Sequence, residues 1–294
     1  MDVNDLRYFL VIPRSNNLQT AAKALNKTPG ALSKAIRRVE ALTHTQLFER
    51  QGRNIQLNAE GRRFCEYARV IVHESEQAIS AFGQGKQKIK LNIAGPQVLL
   101  QQALPRVLDS LPAAHYDTHI TAEWEGDALK HLRDGSAHLA IATAEAVEQN
   151  QGDLSIIELG ETCFQLACAA AHPLLADNPA TTISNEQIQK YAFACPVVSP
   201  FCGIQRGIGS DGWRDDILPR NIAYRCSDFS TLLALVQQGR ALAYIPDFCI
   251  SQANLSALKI TIPWQYRERL ILAYQPSQAA GWLHRFASDL QSSN

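Results

Sequence analysis

The chain has 294 residues, 46% of them hydrophobic, which is enough to fill more than one core, and none of its apolar runs approaches the ~20 residues needed to span a bilayer. Its formal charge of zero hides a division: residues 1–90 carry 15 Lys and Arg against 8 Asp and Glu, whereas residues 91–294 carry 13 against 20. A basic head on an acidic body points to a polyanion-binding segment attached to a part that does not bind nucleic acid.

The opening stretch, MDVNDLRYFLVIPRSNN, has acids where an export signal would carry cations, so a cytoplasmic location without membrane association is expected. Seven cysteines (Cys65, Cys163, Cys168, Cys195, Cys202, Cys226, Cys249) without a C-x-x-C pair support neither a disulfide framework nor a zinc site, and no cofactor is implied. Residues 2–12 read as a helix with Leu6, Phe9 and Leu10 on one face. LQTAAKALNKTPGALSKAIRRVE (18–40) follows, a small-residue helix, a break at Asn26-Lys27-Thr28, and a second helix starting at Pro29 with Thr28 as its cap. Leu32, Ile36 and Val39 recur at core spacing, while Ser33, Lys34, Arg37 and Arg38 fall on other sides. Two helices across a tight turn, the second polar and basic, have the form of a helix-turn-helix whose second helix enters a DNA major groove. QLFERQGRNIQLN (46–58) alternates around Gln51-Gly52 as a two-stranded wing, with Arg50 and Arg53 placed for phosphate contact.

From Asn58, a helix of about seven turns carries Phe64, Ala68, Ile71, Ser75, Ala78 and Phe82 at alternating spacings of four and three, a seam suited to another helix and read here as a dimerisation surface. Gly83-Gln84-Gly85 ends it. Beyond Lys88 short strands alternate with amphipathic segments: strands at 91–95, 118–126 and 137–143, helices at 97–111 and 127–135, then strands at 161–170, 191–198, 221–227, 241–246 and 269–275 with helices at 230–239 and 281–290. The alternation predicts parallel α/β sheets in two lobes joined by crossing strands.

The phrases LRYFLVI, NLQTAAKALNKTPGALSKAIRRVEALTHTQLFERQGRNIQLNAEG, HLAIAT (138–143), HPL (172–174) and GRALAYIP (239–246) occur in an order that resembles the LysR-type transcriptional regulators over essentially the whole chain. The resemblance implies a winged helix-turn-helix (1–58), a linker and dimerisation helix with its hinge (59–87), and an α/β effector domain similar to periplasmic binding proteins (88–294). In that domain lobe I would comprise 88–162 and 268–294 and lobe II 163–267. It further implies self-association as a dimer or homotetramer, binding to a dyad-symmetric double-stranded operator, a small-molecule effector, and RNA polymerase as a further partner.

Thr28, Pro29, Gly30, Ser33, Lys34, Arg37, Arg38, Arg50 and Arg53 are the DNA-binding candidates. The family commonly has Gln at the position of Pro29 and Pro or Ser at that of Gly30. Neither residue here offers a side-chain donor, which shifts base reading toward Thr28, Ser33 and Lys34. Loops at the carboxyl ends of the strands nominate Pro96, Gln97, Thr143, Ser199, Pro200, Phe201, Cys226 and Ser227 for the effector. Two alternatives remain open. A cytosolic solute-binding protein would leave the basic head unused, and a thiol-based redox sensor would rely on Cys202, with Arg206 as thiolate stabiliser. No nucleophile elbow, P-loop or dinucleotide fingerprint supports an enzyme.

Overall fold

The computed structural model describes residues 2–15, 17–51, 54–82, 88–111, 113, 116–150, 153–176, 182–275, 286 and 290. The chain separates into two compact units, one formed by residues 1–91, 110–117 and 275–294 and the other by residues 92–109 and 118–274.

The first unit opens with α1 (Val3–Val11), α2 (Leu18–Ala24) and α3 (Pro29–Thr43). Asp2, Asn17 and Thr28 each cap the helix that follows by accepting a backbone N–H, so every one of these starts is written as a short polar residue. Leu32, Ala35, Ile36 and Val39 of α3 are buried, part against α2 and part against α1. The wing follows as β1 (Phe48–Gln51) and β2 (Asn54–Leu57), an antiparallel pair with Phe48 opposite Leu57. Glu40 ties the wing to α3, because its Oε1 accepts the N–H groups of Leu47 (2.8 Å) and Phe48 (3.3 Å).

Asn58 starts α4 (Ala59–Phe82) by accepting from the Gly61 N–H, and its own amide donates to the Gln46 carbonyl, both at 2.8 Å. The apolar stripe of α4 is divided rather than continuous in purpose. Phe64 stacks edge-on against Phe9 with centroids 5.1 Å apart, and Cys65, Ala68 and Val72 join Leu6, Phe9 and Val39 in one core. The expectation that Phe64 and Ala68 face another subunit is therefore corrected: α1 covers them. Further along, Tyr67, Ile71, Ala78 and Ile79 are exposed and Ser75 is half-buried. The Phe82 side chain lies outside the described residues.

The body begins with β3 (Ile89–Gly95), α5 (Gln97–Asp109), β4 (Tyr116–Ala122), α6 (Glu125–Asp134), β5 (Leu139–Thr143) and α7 (Ala144–Gln149). Next come β6 (Ser155–Ala169), α8 (Pro173–Ala176), α9 (Asn185–Ile188), β7 (Phe193–Pro196), β8 (Ile222–Cys226) and α10 (Phe229–Gln237). The last elements are β9 (Ala243–Pro246), α11 (Asp247–Gln252), β10 (Leu255–Ala257) and β11 (Arg267–Tyr274). The sheets are mixed, which corrects the all-parallel expectation. β3 and β5 pair in parallel, as do β7 and β8, but β11 runs antiparallel between β5 and β6.

β6 is the strand that crosses between lobes. Its first half pairs with β11, and from Phe164 onward it pairs with β9 and β10. It starts six residues before the predicted strand because the chain passes Gly160 in a glycine-compatible conformation (φ +131°) at a bulge in the β6–β11 ladder. β4 stops at Ala122, short of the predicted 126, because acidic residues open α6 immediately afterwards. The helix expected at 281–290 falls outside the described residues apart from Phe286 and Leu290, both of which are buried.

Gly61 sits where the first turn of α4 passes under the wing, and a Cβ built there would lie 2.0 Å from the Leu47 carbonyl oxygen. Backbone cannot swing aside as a side chain can. Gly61→Ala is expected to destabilise the protein by roughly 1–3 kcal/mol through overpacking, measured as a lowered urea midpoint at unchanged m-value.

Candidate nucleic-acid interface and interlobe cleft

On α3, burying the stripe from Leu32 to Val39 turns the opposite arc outward. Thr28, Pro29, Gly30, Lys34, Arg37 and Arg38 are exposed and Ser33 is half-buried. Ser33 and Arg37 share a hollow with Phe48, Glu49 and Ile55 of the wing, so the outer face of α3 and the wing line one surface. Thr28 lends its hydroxyl to the Ala31 N–H (3.2 Å), and its role here is that of a cap.

Arg38 departs from the pattern of a free cation. Its Nε donates to Asp5 Oδ2 at 2.8 Å and a second nitrogen meets Oδ1, a two-pronged contact joining α1 to α3. This bond holds the Asp5 carboxyl below its usual range. Arg38 therefore secures the orientation of α3 as well as adding charge to the edge of its outer face. The Arg50 side chain and the whole of Arg53 lie outside the described residues.

In the body, the sites sought at strand ends divide between two chambers. The first, about 340 Å³, is lined by Gln97, Val98, Ala122, Glu123, Trp124, Pro196, Val198, Pro200, Cys226, Ser227, Asp228 and Phe229. The second, about 130 Å³, includes Glu125, Thr143, Glu145, Ser199, Phe201, Cys202, Arg206, Tyr266 and Glu268. Thus Gln97, Pro200, Cys226 and Ser227 come together in one, and Thr143, Ser199 and Phe201 in the other. Pro96 lines neither: it is buried, and its carbonyl accepts the Leu100 N–H at 2.8 Å.

A contact between lobes separates the chambers. The Glu125 N–H donates to the Phe201 carbonyl (3.2 Å), and Gly203, at φ +69°, lies against Trp124 so closely that a Cβ would come within 2.4 Å of the indole. Only glycine suits that position, for both its conformation and its clearance.

Sequence reasoning missed Glu123, Trp124, Asp228, Tyr266 and Glu268. The first two follow directly after β4 and Asp228 follows Cys226-Ser227, so the strand-end rule could have reached these three by extending each loop a residue or two. Tyr266 directly precedes the returning strand β11 and Glu268 lies on it, and no local signal marks them.

The small chamber contains titratable groups in unusual surroundings. Glu125 is 5% exposed; its Oε2 accepts from the Thr143 hydroxyl (2.9 Å) and N–H (3.2 Å), yet desolvation pushes its carboxyl above the usual range, assisted by Glu268. Burial also raises Glu268, even though it accepts a hydrogen bond from the Tyr266 hydroxyl. Thr143 both donates to Glu125 and caps α7 through the Ala146 N–H (3.3 Å).

The buried thiols are poor sensors. Burial pushes Cys168 up to about 11 and Cys249 up to about 12, and raises Cys195 and Cys226 as well. Their thiolate fraction at neutral pH is accordingly small.

The head and the body each match a family model. Residues 3–62 match the bacterial regulatory helix-turn-helix protein, lysR family, and residues 84–290 match the LysR substrate binding domain. The chain belongs to the LysR family. Its head is a helix-turn-helix of that family and its body a LysR substrate binding domain, in a family of transcriptional regulators rather than enzymes.

Among similar proteins, PecT of Dickeya dadantii is 27% identical over 243 residues, covering 81% of this chain and 70% of PecT. The transcriptional regulator YxjO of Bacillus subtilis is also 27% identical, over 162 residues, covering 53% of this chain and 50% of YxjO, so this chain spans about half the length of that relative. The crystal structure of ArgP from Mycobacterium tuberculosis superposes with a TM-score of 0.61 at 15% identity, covering all of this chain and 97% of ArgP, a likeness of fold.

The raised Glu125 carboxyl carries a pH signature for this regulator. A carboxyl that holds its proton more tightly folded than unfolded makes stability fall as pH rises from the ordinary carboxylate range through the raised folded value. Glu125→Gln removes that penalty while keeping an acceptor for Thr143. The variant is expected to unfold at higher urea than the parent at neutral pH, and the difference should shrink on acidification.

Proposed function

We propose that the regulator binds promoter DNA as a homo-oligomer, with α3 in the major groove and the wing at the flanking phosphates, and responds to a small molecule in the interlobe cleft. The observation that carries the reading is the division of α3 into a buried stripe and an outward arc of Gly30, Ser33, Lys34 and Arg37. Lys34 and Arg37 supply phosphate affinity, Ser33 and Lys34 supply base contacts, and the backbone at Pro29 and Gly30 comes close to the duplex without a side chain of its own. Arg50 and Arg53 would extend the phosphate contacts along the wing.

The exposed Tyr67, Ile71 and Ala78 of α4, with half-buried Ser75, favour self-association through the outer part of that helix. Two heads presented as a symmetric pair would demand a site with dyad symmetry. Acting on DNA implies a cytoplasmic location. In the body, the chamber that holds Gln97, Pro200, Cys226 and Ser227 has a volume suited to a small metabolite. The alternative of a solute-binding protein accounts for these chambers but gives the outward arc of α3 nothing to do.

Selection of bound duplexes from random DNA by the purified full chain tests the proposal. Enrichment of two half-sites related by a dyad about one or more helical turns apart is expected, and Ser33→Ala is expected to relax the preference at one or two positions per half-site with only a modest loss of affinity. Recovery of unenriched DNA would reject the reading.

A further inference from the structure

We propose that the chamber beside Trp124 takes a cationic ligand, an amine or guanidine attached to an apolar body; this rests on the reading of the cleft as the effector site. Its walls are apolar where Pro196, Val198, Pro200 and Phe229 line it, and they suit a hydrophobic body. Its charged lining residues are Glu123 and Asp228, with no Lys or Arg among the described residues that line it. The adjoining chamber adds Glu125, Glu145 and Glu268 against Arg206, whose guanidinium already faces Glu145 at 3.9 Å. Carboxyl groups, two of them (Glu125 and Glu268) raised by burial, thus outnumber guanidinium groups five to one among the described residues lining the two chambers.

The placement of Asp228 decides against an anion. The first turn of a nine-residue helix such as α10 would ordinarily present free N–H groups to a negatively charged ligand. Asp228 occupies that position itself, accepting from the Ser230 N–H (3.2 Å) and the Thr231 N–H (2.7 Å). These bonds hold its carboxyl below the usual range, so it stays ionised and would repel a carboxylate brought into the chamber.

Glu123 engages His131 Nδ1 at 2.8 Å through Oε1. The start of α5 at Gln97 works in the other direction, but a helix terminus carries only about half a unit charge against the two acidic side chains of the lining. Trp124, 39% exposed, lines this wall, and an indole ring attracts ammonium and guanidinium groups. Carboxylates and an indole on apolar walls form a receptor for a cation.

Isothermal titration of the full-length protein with 3-phenylpropylamine, 3-phenylpropanol and 3-phenylpropionate at neutral pH tests this, because the three share a body and differ only in charge. The amine is expected to bind at least about tenfold tighter than the alcohol, with the carboxylate weakest. The amine's advantage should shrink with added salt. Glu123→Gln and Asp228→Asn, the second of which keeps a capping acceptor, should each reduce amine affinity several-fold and leave the alcohol within about twofold. If the carboxylate binds as tightly as the amine and Trp124→Ala weakens both, the cleft is an effector site but its proposed ligand class is wrong. If none of the three binds at millimolar concentration, both the ligand class and the effector reading of this chamber are overturned.

Discussion

Leu32, Ala35, Ile36 and Val39 must leave water together, and α3 has a single rotation about its axis at which all of them do so. That rotation sends Gly30, Ser33, Lys34 and Arg37 outward, so the charged face is a consequence of the hydrophobic one. Burial of Leu32, Ile36 and Val39 is worth on the order of 1.5–3 kcal/mol each, whereas an exposed cation contributes little to folding. The core therefore sets the geometry, and the cations are free to serve a ligand. The Asp5–Arg38 contact reinforces the same rotation from the α1 side, and Glu40 extends it to the wing through the backbone of Leu47 and Phe48.

The body follows a comparable logic with backbone in place of side chains. One long strand, β6, belongs to both sheets, pairing first with β11 and then with β9 and β10. A chain shared in this way leaves loops from both lobes facing the same gap. The Glu125–Phe201 hydrogen bond and the packing of Gly203 on Trp124 join those loops at one line and leave a chamber on either side. Acidic residues then accumulate where water is scarce, which is why Glu125 and Glu268 hold their protons more tightly than exposed carboxyls do.

Much of the head was legible because its signals are local. Thr28 before Pro29, Asn58 before α4 and the alternation in residues 48–51 and 54–57 each act within a few residues, and the structure places helices and strands accordingly. What failed was long-range. The stripe on α4 is real, but periodicity shows only that a face is apolar, and α1 rather than a second copy covers Phe64 and Ala68. Similarly, RLILAYQ reads as a strand from its composition, yet nothing in composition says that β11 inserts antiparallel between β5 and β6.

The cleft was half legible for the same reason. Carboxyl ends of strands nominated Gln97, Pro200, Cys226 and Ser227, and the fold brings these four to the lining of one chamber. Of the residues that determine its charge, Glu123 falls inside the strand expected at 118–126 and Asp228 drew no notice in the sequence. Asp228 is indeed a cap, and only the shared chamber gives that cap a second consequence. Arg38 makes the converse point, since a residue nominated for DNA by its charge is also held by Asp5 in the fold.

The most direct measurement is the salt dependence of affinity for a selected duplex, compared between the parent protein and its Lys34→Ala and Arg37→Ala variants. If these side chains meet phosphates, log K falls linearly with log salt concentration, and each substitution lowers the slope by about 0.9 for every phosphate it leaves unneutralised. Parent and variants with the same slope and the same affinity would show that DNA does not touch the outward face of α3, and the account would fail.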